Sequence, residues 1–394
     1  MVFDTALPVE AQVFGGGTVG QLTDVLGTQR VQPAAPVGSG ECDDRTVRPI
    51  DDDGIVLGAA LLTERVAVVP DRAGIGGSCQ VRGLLTHINS TGLPLRSCSM
   101  LGMPGRLSVL VTIDGEVRDP AQPLLFADDL AAVRGDGVFE TLLVRDGRAC
   151  LVDAHLRRLT QSAKTMDLPE PDLSAWRRAI GIAVGQWTSS TASEGALRLV
   201  YSRGRESGSE PTAYLTVNPV PDRVVATRRD GIAAVLLDRG LPSTGVDTMP
   251  WLVAGAKTLS YAVNMAALRH AADRGAGDVI FVSSDGYLLE GPRSTVVIAT
   301  DEGAGTTLLT PPPWYPILRG TTQQALFEVA REKGYDCDFR ALRPSDLSAA
   351  QGVWLVSSMT LAARVHTLDG RPLPPTRLAA EVAALVDAAI VCDR

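Results

Sequence analysis

The sequence predicts an α+β fold of two domains, preceded by a poorly structured extension. Three observations lead there. Apolar residues recur with strand periods and with helix periods, but the two do not alternate strictly, as a doubly wound sheet would require. A stretch with two prolines, residues 218–223, interrupts the pattern and reads as an interdomain linker. Residues 1–102 sustain neither period over a useful length. The expected division is an extension (1–102), a small α/β domain (103–220) and a large domain (221–394).

In the extension, Gly15-Gly16-Gly17, the Pro/Gly-rich segment 33–40 and Asp51-Asp52-Asp53 break any repeat. Apolar runs at 55–62 and 66–69 are not joined to an amphipathic helix, so weak order is expected. A translational start at Met100 or Met103 would produce the same texture. Asn89-Ser90-Thr91 forms a glycosylation sequon that carries no meaning in a cytoplasmic protein.

From residue 107 the pattern becomes orderly. A strand at 107–113 runs into the turn Asp114-Gly115, and a second hairpin joins 137–144 to 149–152 through Asp146-Gly147. Leu156, Leu159 and Ala163 form a helical stripe over 155–166, and a second helix covers 173–187. Strands are predicted at 195–202 and 212–217. Beyond the linker, a strand at 232–237 precedes a helix at 260–274, with Ala262, Met265, Ala266 and Leu268 as its apolar positions. Strands at 278–282 and 287–289 flank Asp285-Gly286, and 294–299 and 307–310 continue the sheet. A helix over 322–333 is ended by Gly334. A strand at 353–357 and a helix at 378–391 close the chain.

The 394 residues leave room for two to three domains at ~100–200 residues each. A hydrophobic content of 45% allows a sizeable core. A net charge of -8 argues against a nucleic-acid footprint. No apolar run approaches the ~20 residues that span a bilayer. The first twenty residues lack the basic flank and apolar stretch of a signal peptide, so a cytoplasmic location is expected. The six cysteines (42, 79, 98, 150, 337 and 392) include no Cys-x-x-Cys pair. They are expected to be free thiols rather than metal ligands or disulfides.

Of the 37 basic residues, only Lys164, Lys257 and Lys333 are lysines. Lys164 lies on the polar side of its helix, and Lys333 sits at a helix end. Lys257 is embedded in Trp251-Leu252-Val253-Ala254-Gly255-Ala256-Lys257-Thr258-Leu259. A lysine in such a stretch needs a partner or a covalent role. Desolvation lowers its pKa and makes the amine nucleophilic, suited to an imine with an aldehyde. A lysine snorkelling from a strand end fits the local context equally well. Glu290 ends an apolar run and needs a partner, either an arginine or a cofactor's protonated ring nitrogen. Leu318-Arg319-Gly320-Thr321-Thr322 opens a helix with groups suited to a phosphate. Ser357-Ser358 and Arg158 offer further donors, though a threonine there can simply cap.

Taken together, Arg134-Gly135-Asp136-Gly137-Val138-Phe139-Glu140-Thr141, His155-Leu156-Arg157-Arg158-Leu159, 257–261, Glu290-Gly291-Pro292-Arg293-Ser294 and 318–322 resemble fold-type IV, or class IV, enzymes dependent on pyridoxal 5'-phosphate (PLP). The resemblance runs from about residue 111 to the C-terminus. It implies that Lys257 forms the Schiff base and that Glu290 partners the pyridine nitrogen. It further implies that Arg158, Thr321, Thr322 and Ser358 bind the phosphate, the threonines partly through backbone N–H groups. Tyr261 would lie near the ring. Thr295 and Thr321 depart from the family's usual asparagine and isoleucine.

Within the family, the chain is most similar to lyases that convert 4-amino-4-deoxychorismate to 4-aminobenzoate and pyruvate for folate biosynthesis. The pointer is Thr141, whose hydroxyl would assist proton transfer. Arg203 would bind a substrate carboxylate. The alternative is an aminotransferase acting on D-amino or branched-chain amino acids, with the same residues delivering the proton elsewhere. A homodimer acting on a small-molecule substrate, with no nucleic-acid or membrane partner, is the expected assembly.

Overall fold

A computed structural model describes residues 108–390, apart from 192, 302 and 304. The predicted extension at 1–102 and its sequon lie outside the described residues.

Two sheets carry the described chain. The first has six strands: β1 (Val109–Thr112), β2 (Val117–Arg118), β3 (Gly137–Arg145), β4 (Arg148–Ala149), β5 (Gly195–Ser202) and β6 (Thr212–Pro219). Their order is β2-β1-β6-β5-β3-β4, and every pairing is antiparallel. Short turns make this arrangement accessible, because antiparallel neighbours need only a hairpin. The helices of this half are α1 (Leu130–Val133), α2 (Val152–Thr165) and α3 (Leu173–Ser190).

Alternation along β3 sends Val138, Glu140, Leu142 and Val144 to one face and Phe139, Thr141, Leu143 and Arg145 to the other. The first face joins a core with Leu156 and Leu159 of α2 and Trp176 and Trp187 of α3. Leu142 is 0% exposed there, and burying such a side chain contributes roughly 1.5–3 kcal/mol. The stripe of α2 includes two polar residues, His155 and Ser162, both buried.

The second half contains α4 (Asp222–Asp230), β7 (Ile232–Asp238), α5 (Ala262–Ala272), β8 (Asp278–Val282), β9 (Thr295–Asp301), β10 (Thr306–Thr310), α6 (Thr321–Glu332), β11 (Asp336–Phe339), α7 (Pro344–Ala349), β12 (Gly352–Ser357), β13 (Leu361–Leu368), β14 (Arg371–Pro372) and α8 (Ala379–Ala389). Strand order is β11-β10-β9-β12-β13-β7-β8, with β14 paired to β13. Val297, Trp354 and Phe327 pack with α8 on one side of this sheet, in a cluster that Leu143 of β3 also joins. Ile298, Leu355 and Leu347 of α7 pack together in a separate cluster. Among the described residues, no helix is long and apolar enough to cross a membrane.

The α+β architecture agrees with the sequence expectation, but two local readings need correction. Residues 218–223, expected as a linker, hold the end of β6, Val220 and Pro221, and the start of α4. Pro221 is the N-cap residue of that helix, where its missing N–H costs nothing. Residues 287–289 form no strand; only an isolated bridge joins Val282 to Leu288. Cys150 is disulfide-bonded rather than free, whereas Cys337 is a free thiol.

Candidate active site

Lys257 sits on a segment laid along the start of β3. Phe139 N–H donates to the Lys257 carbonyl (3.0 Å), and Leu259 N–H donates to the Gly137 carbonyl (2.8 Å). Gly137 has to be glycine for this approach. A Cβ there would lie 2.7 Å from the Tyr201 carbonyl oxygen and 2.8 Å from Leu259 Cδ1. On the other side, Lys257 N–H donates to the buried Ser162 hydroxyl of α2 (3.1 Å). These bonds fix the backbone, and the side chain projects to the Phe139 ring, with Nζ 4.4 Å from its centroid and 5.8 Å from that of Tyr261. Burial pulls the ammonium pKa down to about 8, and the charge of Arg158 adds to the effect. Lys164 and Lys333 are both exposed. The local context left two roles open for Lys257; the geometry presents a desolvated amine held by its backbone.

Glu290 faces the same space. Its Oε2 accepts the Leu318 N–H (3.0 Å). No arginine pairs with it among the described residues. Burial pushes the carboxyl pKa up to about 7, opposed by the Leu318 N–H and then by Lys257. Such a carboxyl is short of a cationic donor. Tyr261 packs edge-on to Phe139 (5.4 Å), and its hydroxyl donates to the Pro292 carbonyl, which also accepts from Asn264 (2.7 Å). Burial raises the Tyr261 pKa to about 12, so the phenol stays protonated.

The start of α6 supplies unpaired donors. The N–H groups of a first helical turn have no intrahelical partner, and Gly320 provides no side-chain cap. A Cβ on Gly320 would overlap the Thr295 hydroxyl, so the threonine that replaces the usual asparagine packs directly under this turn. Thr322 is 2% exposed, and its Oγ1 has no hydrogen-bond partner. Arg158 reaches this loop from α2. Its Nη1 donates to the Arg319 carbonyl (2.9 Å), and its Nε and Nη2 donate to Glu140 (2.7 and 2.6 Å). Two of its five N–H groups remain free. Glu140 also accepts from His155 Nδ1 (2.7 Å), and His155 Nε2 meets the Thr321 hydroxyl (3.3 Å).

The remaining residues divide. The Ser358 hydroxyl donates to the Thr141 carbonyl (2.7 Å), and Ser358, Thr322 and His155 line one small cavity. Thr141 shares the Phe139 face of β3, opposite Arg198 of β5. Arg203 is engaged elsewhere. Its guanidinium pairs with Asp136 (Nε, 2.7 Å) and donates to the Met166 and Asp167 carbonyls (2.7 and 3.1 Å). These bonds brace the end of β5 against the end of α2. Arg198 escaped the sequence reading; its guanidinium carbon lies 5.7 Å from the Phe139 centroid, and its charge helps lower the Lys257 pKa. Glu140 and His155 were also unassigned, although both occupy buried positions of an otherwise apolar pattern.

These groups suit a phosphorylated pyridine aldehyde. Thr322 Oγ1, the α6 N-terminus and the free Arg158 donors fit the phosphate. Glu290 fits a ring N–H, and the Lys257 amine fits the aldehyde.

Residues 137–368 match the model of the amino-transferase class IV family. The chain is 75% identical over 289 residues to the bifunctional aminodeoxychorismate lyase / D-amino acid transaminase of Mycobacterium tuberculosis; the match covers 73% of this chain and all of that protein. The structure of a hypothetical aminotransferase from Mycobacterium tuberculosis in PLP-bound form, 75% identical, superposes with a TM-score of 0.71 over the same shares. A fold IV-transaminase from Curtobacterium pusillum, 40% identical, gives 0.67 over 71% of this chain and 98% of that one. The 4-amino-4-deoxychorismate lyase of Pseudomonas aeruginosa, 22% identical, shares the fold with a TM-score of 0.57 over 72% and 98%. With more than half of its length matched by the family model and a full-length relative at this identity, the chain belongs to the class IV aminotransferases.

Proposed function

We propose that this chain is a PLP-dependent aminodeoxychorismate lyase that also transfers amino groups from D-amino acids. One observation carries the catalytic part: a desolvated lysine and a partly buried, partner-poor carboxyl face one space beside an uncapped helix start. The 75% identity to a bifunctional relative over its whole length supports both activities.

When bound, PLP supplies an aldehyde for imine formation and a ring that accepts an electron pair. The protein does the rest. The α6 N–H groups, the Thr322 hydroxyl and Arg158 would hold the phosphate. The Glu290 carboxylate would accept the ring N–H and keep that nitrogen protonated. A Lys257 pKa of about 8 leaves a neutral fraction of the amine near neutral pH, able to take a proton from the substrate. Thr141, on the Phe139 face, is placed to pass a proton onward, with Ser358 fixing its backbone. Arg198 takes the carboxylate-binding role first expected of Arg203. Tyr261 limits ring movement through the Phe139 contact. The destination of the proton held at Lys257 Nζ would separate the outcomes: delivery to the departing pyruvate unit as the ring becomes aromatic would give lysis, whereas delivery back toward the bound cofactor would give amino transfer.

A homodimer completes the proposal. Trp251 (73% exposed) and Trp314 (68%), with Val263 and Met265, leave apolar surface on the segments that flank Lys257. A second copy of the chain would cover it.

Purified protein is supplied with aminodeoxychorismate and no keto acid, and separately with D-alanine plus 2-oxoglutarate. Release of 4-aminobenzoate and pyruvate in the first assay and of D-glutamate in the second is expected. Turnover of aminodeoxychorismate only when a keto acid is added would refute the lyase. Silence in the second assay would refute the transaminase.

A further inference from the structure

We propose that Glu140, with His155, is a positioning residue that locks Arg158 of α2 to the N-terminus of α6, so that both present donors to one phosphate. The proposal rests on the function given above, in which this pocket receives the phosphate of PLP.

Glu140 is 0% exposed. Its neighbours on the same face of β3 are Val138, Leu142 and Val144, all core residues. A buried ion pair there is a weak source of stability, because apolar side chains of similar volume would serve as well or better. What the pair does provide is direction. The carboxylate accepts from Arg158 Nε and Nη2 on both oxygens, and this fork-to-fork contact fixes the guanidinium plane. The same guanidinium donates to the Arg319 carbonyl, the residue before Gly320. A second path runs from Glu140 through His155 to Thr321. Two tethers therefore leave one carboxylate and end on consecutive parts of the same anion-binding turn.

The proton positions follow. Burial raises the Glu140 pKa, but Arg158 and then His155 outweigh it and hold the group at about 2, so it only accepts. His155 Nδ1 must then carry a hydrogen. Burial lowers the His155 pKa, so the ring is neutral and Nε2 presents a lone pair. The Thr321 hydroxyl donates to that lone pair, and its hydrogen is unavailable to a phosphate. The Thr322 hydroxyl has no such partner. Thr321 thus contributes its backbone N–H, and Thr322 its side chain as well.

The test compares PLP with pyridoxal, which lacks the phosphate. Each is titrated into cofactor-free protein. Binding is read from the visible absorbance of the lysine adduct and from the mass of the borohydride-reduced Lys257 peptide. Loss of a charge-assisted, oriented contact is expected to cut the preference of Glu140→Gln for PLP over pyridoxal by about tenfold or more, with pyridoxal binding within about twofold of wild type. A merely structural role would weaken both compounds together. His155→Asn keeps a donor for Glu140 and every charge but removes the tether to Thr321; a preference lowered by about threefold is expected, the effect of one neutral hydrogen bond. An unchanged preference in Glu140→Gln overturns the proposal. If that variant does not fold, an unchanged preference in His155→Asn overturns it instead. Wild-type protein that forms no adduct at Lys257 overturns the assigned function, and this proposal with it.

Discussion

Glu290 should impose a measurable pH dependence on the stability of the cofactor-free protein. Its carboxyl ordinarily titrates at 4.5 and here titrates at about 7, because burial disfavours the anion. Below 4.5 the group is protonated in both folded and unfolded chains. Between 4.5 and 7 the unfolded chain has released the proton and the folded chain retains it. The folded state binds more protons in that window, so stability falls as pH rises through it. At ~1.4 kcal/mol per pH unit, the gap is worth at most about 3.5 kcal/mol in full, of which the interval from pH 5 to pH 8 samples most. Lys257 also begins to lose its proton in the folded state as pH approaches about 8, but the variant keeps Lys257, so comparison with it removes that contribution. Glu290→Gln retains an acceptor for the Leu318 N–H and cannot ionise. Urea unfolding of both proteins at pH 5 and pH 8 reads the effect. The stability of wild type relative to the variant should drop by up to about 3 kcal/mol between the two conditions. Parallel profiles would show that the Glu290 site is solvated and that its supposed need for a cationic ring is unfounded.

Lys257→Ala should abolish visible absorbance from added PLP after dialysis; persisting colour would place the cofactor on another amine. Thr322→Val removes an unpartnered buried hydroxyl, so thermal unfolding of the cofactor-free protein should be unchanged or higher, while PLP affinity falls by about tenfold. Arg203→Ala should lower the melting temperature by leaving Asp136 unpaired, with little change in KM, whereas Arg198→Ala should raise KM for carboxylate substrates; initial rates over a substrate series separate the two. Leu142→Ala should cost about 2–5 kcal/mol in urea unfolding, the usual range for emptying a filled core position.

Much of this was legible in the sequence, and what was legible was local. The hairpins at Asp114-Gly115 and Asp146-Gly147 announce themselves through turn residues next to alternating strands, and both form. Lys257 stood out because its two sister lysines lie in polar settings and it does not. What escaped depends on contacts between distant positions. Arg203 looks available until Asp136, 67 residues away, closes on it. Arg198 looks like any surface arginine until β5 pairs with β3 and sets it beside Phe139. Two signals were present and unused. Glu140 falls on the apolar side of a strict two-residue alternation, and His155 falls on the apolar stripe of a helix. A polar residue at such a position needs a partner, and here each is the other's.

The pleat of β3 separates two duties that are adjacent in the chain. The Phe139 ring lies against the amine of Lys257, Thr141 shares its face of the strand, and Glu140 between them pairs with Arg158 of α2. Under the proposed function, substitution at Thr141 would redirect the chemistry without loosening the grip on the cofactor, and substitution at Glu140 would do the reverse. A shift between lyase and transaminase would then need no rebuilding of the scaffold, only a change of side chain on the Phe139 face of one strand.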